Sequence, residues 1–155
     1  MLKRARRLEP VIDMAADKER EAATRLAQQQ LLLQQAEQQL AGLEQYRNDY
    51  QQQWIIRGQG GVTGEWLMNY QRFLSQLETA IEQQRNSIRW HSQNVDKARK
   101  QWQEAYARLE GLKKLVQRYH EQARHQAERQ EQKAMDEMAA RAGLRSRTRE
   151  NPDEY

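Results

Sequence analysis

The sequence contains no cysteine, and this absence excludes several classes of chemistry. Without a thiol the chain can form no disulfide, bind no metal through thiolates and use no cysteine nucleophile. Redox function is excluded on the same ground, apart from cofactor chemistry, for which the sequence offers no pocket. We therefore predict neither a cofactor nor a redox role.

Long apolar runs are also missing. Mean hydropathy is −1.18, and only 37% of the 155 residues are hydrophobic, alanine included. No apolar run is long enough to span a bilayer, and the basic N-terminus leads into no apolar signal-peptide stretch. We expect a cytoplasmic protein whose apolar surface suffices for one helical seam and not for a sizeable globular core.

Apolar residues recur at alternating spacings of four and three, and one glycine cluster interrupts them. Such a repeat keeps one stripe of each helix facing a partner, so it predicts an all-α fold: a rod made of a long antiparallel two-helix coiled-coil hairpin. The first seam runs through Leu8, Ile12, Ala15, Glu19, Ala22, Leu26, Gln29, Leu33, Ala36, Leu40, Leu43, Arg47, Tyr50 and Trp54. The second runs through Leu67, Tyr70, Leu74, Leu77, Ile81, Gln84, Ile88, His91, Val95, Ala98, Trp102, Ala105, Leu109, Leu112, Val116, Tyr119 and Ala123.

Proline and glycine set the predicted ends of the helices. Because proline is tolerated in a first helical turn, Pro10 places the first helix over 8–56. A tip loop follows over 57–64, with Gly58 as a left-handed C-terminal cap and Thr63 as the next N-cap. The second helix is predicted over 65–142 and ends at Gly143. Residues 1–142 form one predicted domain, and 143–155 form a disordered polar tail.

Antiparallel pairing predicts which residues meet and which stay unpaired. The expected neighbours are Leu43 with Leu77, Tyr50 with Tyr70, Ala36 with Gln84, Gln29 with His91, Glu19 with Trp102, and Leu8 with Leu112. The second helix is expected to extend past the first by about 25–30 residues, roughly 40 Å. This overhang is predicted to lack an internal partner along Val116, Tyr119, Ala123, Ala127, Met135 and Met138.

The net charge of +4 is located at the chain ends. Residues 1–7 contain four basic residues and no acid, and the arginines at 141, 145, 147 and 149 outnumber three acids in 141–155. Solubilising tails, contact with an acidic protein or with anionic lipid, and nucleic-acid binding are all compatible with basic ends. No aromatic residue is interleaved with these basic clusters, and we predict no nucleic-acid partner.

No constellation of residues predicts catalysis or a metal site. The glycines of the tip follow a helix and are not followed by lysine, unlike a phosphate-binding loop. His120 and His125 are five residues apart, a spacing that does not place both on one helical face. Since no cavity is expected to desolvate a carboxylate, we predict no enzymatic activity.

Six of the eleven aromatic residues lie within 28 residues around the tip. Tyr50, Trp54 and Tyr70 occupy seam positions, whereas Tyr46, Trp66 and Phe73 lie outside the seam. Exposed aromatic residues beside a tip are typical of a protein-binding hot spot. The alternative is that they widen the tip's own core.

Three segments of the chain resemble the FliJ family of bacterial flagellar export proteins. The first comprises residues 7–13 and 19–23, and the last is 131–139, with its Glu-Gln-Lys and Asp-Glu pairs. The middle segment is the most distinctive, with residues 38–40, Leu43, Tyr46 and Tyr50 before the tip and Trp66, residues 69–70, Phe73, Leu77 and residues 80–83 after it. Together they span nearly the whole chain in the family's order.

The resemblance implies a non-enzymatic coiled coil similar to the central stalk of rotary ATPases. In that family the end formed by both chain termini engages the hexameric export ATPase and promotes its assembly. The surface nearer the tip engages the cytoplasmic domain of the membrane export gate, and members escort substrate chaperones. Gate contact then falls on Gln39, Leu43, Tyr46, Tyr50, Phe73, Leu77 and Ala80; Gln84 stands where the family suggests histidine.

For ATPase contact we expect the apolar seam residues of the open end: Leu8, Ile12, Val116, Tyr119 and Ala123. The resemblance also implies a cytoplasmic protein associated peripherally with the inner-membrane export apparatus through its partners. The free chain is expected to be a monomeric hairpin.

Three alternatives remain at this point. A YscO-like stalk protein of a virulence injectisome has the same architecture and serves another machine. A coiled-coil scaffold, in which the seam pairs between chains, predicts a dimer. A basic nucleic-acid-binding rod predicts affinity that decreases steeply with salt.

Overall fold

The computed structural model describes residues 1–150, with side chains to Arg149, and contains two long helices in that part of the chain. Helix α1 spans Leu2–Gln59 and has 58 residues, and helix α2 spans Gly64–Glu150 and has 87. The two run antiparallel, which confirms the predicted fold class and the greater length of the second helix. No stretch of the described helices combines the length and apolarity that a bilayer crossing requires.

Helix α1 begins six residues earlier than predicted, and Pro10 lies inside it. A proline at this point removes one backbone hydrogen bond and strains the preceding turn. The helix nevertheless extends to Leu2. The reason is Ala5, which lies one and a half turns before the proline, is only 3% exposed and packs in the interface between the two helices. Tertiary packing therefore outweighs the local preference of proline for a first turn.

The turn between the helices is shorter than the predicted loop, since helical structure covers all but residues 60–63. Gly61 has a φ of +80°, whereas Gly58 lies within α1, so the predicted cap at Gly58 is wrong. The last turn of α1 ends with a hydrogen bond from Gly60 N to Arg57 O. The left-handed conformation is needed only after that turn, at Gly61. Thr63 is the N-cap of α2, as its Oγ1 accepts a 3.1 Å hydrogen bond from Trp66 N.

Helix α2 continues through Gly143, where the sequence predicted its end and the start of a disordered tail. A glycine inside a helix costs about 1 kcal/mol relative to alanine, which weakens the helix without terminating it. Strong helix formers surround this glycine, among them Ala140, Ala142 and Leu144. Residues 151–155 of the predicted tail lie outside the described residues.

The chain divides into two compact units, and residues Asp17–Tyr106 form the one that contains the turn. Its contacts confirm the predicted register. The rings of Tyr50 and Tyr70 stack at 4.8 Å, and Gln84 Nε2 donates a 2.9 Å hydrogen bond to Ala36 O. The buried residues of this unit are Ala22, Ala36, Tyr70, Leu77, Ile81, Val95 and Ala98.

The other unit combines Met1–Ala16 with the chain after Tyr106. Ala5, Ala15 and Leu109 are its buried residues. Every side chain from Arg124 to Arg149 is exposed. The end of α2 in this unit is therefore a single helix that rests on local interactions alone.

Candidate functional site

Seven residues on the two helices beside the turn form the tip surface, the set for which the sequence predicts gate contact: Gln39, Leu43, Tyr46, Tyr50, Phe73, Leu77 and Ala80. Gln39 is exposed, and Tyr46 retains 53% of its accessible surface. Leu43, Tyr50, Phe73 and Ala80 are half-buried. Leu77 is only 7% exposed, so it supports the tip surface from beneath and offers a partner almost nothing.

Aromatic side chains connect the two helices of the tip surface. The ring of Phe73 lies 5.9 Å from that of Tyr46, edge to face, and 4.7 Å from that of Tyr50. Such pairs contribute about 0.5–1.5 kcal/mol beyond the apolar area they bury. Because its ring packs against Phe73 of the opposite helix and yet retains about half of its accessible surface, Tyr46 is an exposed aromatic anchor.

Nearer the turn, the aromatic residues serve the fold. Trp54, Trp66 and Tyr70 stack on one another with centroid distances of 4.9–5.5 Å, and the Arg57 guanidinium lies 5.9 Å from the Trp66 ring. Trp66, which lies outside the heptad seam, thus widens the internal core of the tip. Of the two interpretations that the sequence left open, a widened core holds for Trp66, and an exposed ring holds for Tyr46.

Among the described residues, Tyr70 is the one titratable group whose environment clearly shifts its pKa. Burial raises the pKa of its hydroxyl above the ordinary value, and the neighbouring Tyr50 and Glu78 raise it further. The Tyr70 hydroxyl therefore keeps its proton to a higher pH than an exposed tyrosine does.

Gln84 fixes a polar layer beside the tip surface. Besides its bond to Ala36 O, its Nε2 donates a 3.1 Å hydrogen bond to Gln39 Oε1, so Gln39 is held by the opposite helix. The predicted layer of Gln29 and His91 lacks a comparable hydrogen bond at His91 Nδ1. Both residues are half-buried, but His91 Nδ1 is buried and has no hydrogen-bond partner among the described residues.

The helix-end set comprises the five residues predicted to contact an ATPase: Leu8, Ile12, Val116, Tyr119 and Ala123. All five are half-buried in the unit formed by the two chain ends. The prediction that Val116, Tyr119 and Ala123 lack an internal partner is therefore wrong. The cause is the early start of α1: Met1, which directly precedes the helix, lines the same surface depression as Gln122 and His125.

Several exposed apolar side chains escaped the sequence reasoning because they lie outside the seam. Ile55, Ile56 and Met68 are 61–70% exposed beside the turn, and Leu144 is 64% exposed on the end of α2. Met135 and Met138 belong to the predicted overhang and are 66–69% exposed, as that prediction requires. The run Trp54-Ile55-Ile56 carried the missing signal, since only one of three consecutive apolar residues on a helix can face a seam.

The described residues offer shallow depressions and no metal cluster. No group of three histidine, aspartate or glutamate side chains in residues 1–149 is placed to hold a metal ion. One depression of about 640 Å³ lies along α2 between Met138 and Arg149. A second, of about 500 Å³, lies between the helices and is lined by Gln51, Trp54, Ile55, Leu67, Tyr70, Gln71 and Leu74. These surfaces suit protein contacts.

Comparison with known proteins agrees with this architecture. A sequence model described as "Flagellar FliJ protein" matches residues 4–148. The chain is 37% identical over 138 residues to the Flagellar FliJ protein of Salmonella typhi, covering 89% of this chain and 94% of that one. It is 36% identical over 133 residues to the Flagellar FliJ protein of Escherichia coli strain K12, covering 86% and 90%. The match extends over both helices and the turn, and the chain belongs to the FliJ family of flagellar proteins.

Proposed function

We propose that this protein is a non-enzymatic coiled-coil component of the bacterial flagellar protein export apparatus. Membership of the FliJ family supports a flagellar role, and the shallow depressions described above on the two helices suit contact with other proteins. The protein works in the cytoplasm, held at the inner-membrane export apparatus by its partners.

The tip surface is proposed to bind the cytoplasmic domain of the membrane export gate. The observation that carries this proposal is Tyr46, an aromatic ring held by Phe73 yet more than half exposed. Rigid, exposed aromatic residues are enriched among the few residues that dominate binding energy. Gln39, ordered by its bond to Gln84, supplies a polar contact beside it.

Replacing Tyr46 by alanine is expected to weaken binding to the gate domain by roughly tenfold or more. Tyr106→Ala is the matched control, because Tyr106 is similarly exposed at 47% and also rests on a neighbouring aromatic ring, that of Trp102. Calorimetric titration with the purified gate domain measures both affinities. Equal losses in the two variants, or none in either, would contradict a gate contact at the tip surface.

The helix-end set is proposed to bind the export ATPase and to promote assembly of its hexamer. Support comes from five residues of the two seams that remain half-buried where α1 begins beside α2. Binding would complete the burial of surface that the hairpin covers only in part. A stiff coiled coil at this position would make the ring subunits inequivalent.

ATP turnover and hexamer formation by the ATPase are measured with and without this protein. Tyr119→Ala is expected to reduce stimulation, whereas a chain ending after Ala123 retains all five residues and is expected to stimulate as the full chain does. An injectisome ATPase serves as the specificity control. Equal stimulation of both ATPases would favour a general stalk protein, and no stimulation of either would refute the ATPase contact.

Escort of substrate chaperones is the remaining part of the proposal and is supported by the family alone. Co-elution of a flagellar chaperone with the full chain in gel filtration tests it. Chaperone that elutes unchanged in the presence of excess protein would remove this part while leaving the other two intact.

A further inference from the structure

A row of arginines lies along the exposed end of α2. Arg141, Arg145 and Arg149 are spaced by four residues, which places them in one line on the helix surface with their Cα atoms about 6 Å apart. No acidic residue occurs between Met138 and Arg149. Within residues 1–149, no carboxylate forms an ion pair with any of the three, and all are exposed. We call this row the arginine stripe.

Beside the arginine stripe runs a second row made of Met138, Ala142 and Ser146, again at intervals of four. The two rows line the depression of about 640 Å³ at this end of α2. Ala142 and Ser146 are small, so the side chains of a partner can approach the backbone of α2 there. The result is a groove with a cationic wall and a floor of small side chains.

The shape of this groove fits an α-helix. Ridges formed by residues four apart on one helix pack into the grooves between such ridges on another. In a helix that binds here, residues four apart along the sequence are also about 6 Å apart, the same spacing as the residues of the arginine stripe. Carboxylates at those intervals would each meet one arginine, and arginine binds carboxylates in a bidentate geometry.

Other occupants fit less well. The heptad phase of α2, continued beyond Ala123, passes through Gln126, Gln130, Lys133 and Glu137 and reaches apolar residues again only at Ala140 and Leu144, so this end carries too short an apolar seam to pair with a second copy of the chain. Met138 and Arg145, seven residues apart, share one face, so the apolar and cationic residues are not segregated as adsorption to a bilayer requires.

We propose that the arginine stripe docks an acidic α-helix of a partner protein, one that carries glutamate or aspartate at four-residue intervals. This inference does not depend on the gate or ATPase contacts, whose residues lie elsewhere on the chain. The three ion pairs form at an exposed surface, so each contributes modestly and the row acts together.

The test uses the full chain and a synthetic alanine-based helical peptide with glutamate at every fourth position, its helicity verified by circular dichroism. A second peptide has the same composition with the glutamates distributed around the helix. Fluorescence anisotropy at low salt measures binding. We expect the periodic peptide to bind about tenfold more tightly than the redistributed one, because the charges are equal and only their alignment differs.

The variant Arg141→Gln/Arg145→Gln/Arg149→Gln is expected to lose this preference. The matched control Arg124→Gln/Arg129→Gln/Arg147→Gln removes the same charge from exposed positions of α2 outside the stripe and is expected to keep it. Equal binding of the two peptides, or equal losses in the two variants, would overturn the proposal. So would binding confined to vesicles of phosphatidylserine and phosphatidylcholine or to a single-stranded oligonucleotide.

Discussion

Trp102 shows how a single bulky residue is accommodated in a two-helix seam. Its indole Nε1 donates a 2.9 Å hydrogen bond to Glu19 Oε1 on the opposite helix. The sequence predicted this pairing but not the hydrogen bond. The acid at a seam position is therefore a hydrogen-bond partner, and the pair fixes the register of the helices at this layer.

Replacing Trp102 by phenylalanine removes the donor while keeping an aromatic ring in the seam. The free energy of unfolding is expected to decrease by about 1 kcal/mol, the typical contribution of such a bond at a partly exposed site. Urea denaturation followed by circular dichroism measures the change. Trp90→Phe is the control, since Trp90 is 60% exposed and makes no such bond; a comparable decrease there would refute the assignment to the hydrogen bond.

The raised pKa of Tyr70 links stability to alkaline pH. Burial is the largest cause, followed by Tyr50 and Glu78. Above the ordinary tyrosine pKa of about 10, the unfolded chain loses this proton while the folded chain retains it. The contribution to stability is thus fully present below that pH and is lost as the pH rises through the folded-state pKa.

We expect the free energy of unfolding of the wild-type chain to decrease between pH 9 and about pH 11, and the Tyr70→Phe variant to show a smaller decrease. Denaturant titrations at a series of alkaline pH values give both slopes. Tyr106→Phe, at an exposed position, is expected to follow the wild type. Parallel slopes for all three proteins would show that Tyr70 does not control this dependence.

At the scale of elements, the turn between α1 and α2 depends on one glycine. Gly61 has a φ of +80°, a conformation that costs a residue with a Cβ roughly 1–2 kcal/mol. Gly58 lies three residues earlier within α1, and a Cβ there would meet nothing within 4 Å. The two glycines are close in sequence and opposite in structural role.

Gly61→Ala is expected to lower the free energy of unfolding by roughly 1–2 kcal/mol. Gly58→Ala is expected to raise it by about 0.5–1 kcal/mol, because alanine restricts the unfolded chain and favours the helix. Thermal and urea denaturation of the two variants measures these opposite changes. Destabilisation by Gly58→Ala would mean that the C-terminal cap lies where the sequence first suggested.

The seam and the turn region were predictable because heptad spacing encodes which residues face a partner helix. Tyr50 with Tyr70 and Ala36 with Gln84 followed from that spacing. The helix ends were not predictable, since Pro10 and Gly143 signal termination locally, while the packing of Ala5 and the surrounding helix formers decide the outcome. The aromatic anchor at Tyr46 was predictable as an off-seam residue; that Trp66 stacks inward depends on tertiary contacts that no spacing records.

At the scale of the whole molecule, the interface between the two helices buries few large side chains. Ile81 is the one large side chain, within the described residues, that is less than 2% exposed, and alanine supplies half of the buried apolar positions. Two helices can shield only a single line of side chains between them. Stability is therefore distributed over many small contacts rather than concentrated in a core.

Since that line of side chains is already paired within one chain, we expect a monomer in solution. Light scattering should give a mass near 18.5 kDa, and the melting temperature should not depend on protein concentration. A dimeric mass, or a melting temperature that increases with concentration, would indicate pairing between chains as in a scaffold. The arginine-stripe triple variant and the wild type should have the same mass.

The exposed end of α2 has a consequence for proteolysis. From Arg124 to Arg149 no side chain is buried, so opening this segment breaks only local helical contacts, and short openings are frequent. The segment is also rich in arginine and lysine, the residues after which trypsin cleaves. Digestion should therefore proceed inward along α2 and slow down near Ala123, where the first half-buried side chain is met. A partner bound at this end of α2 should slow this digestion.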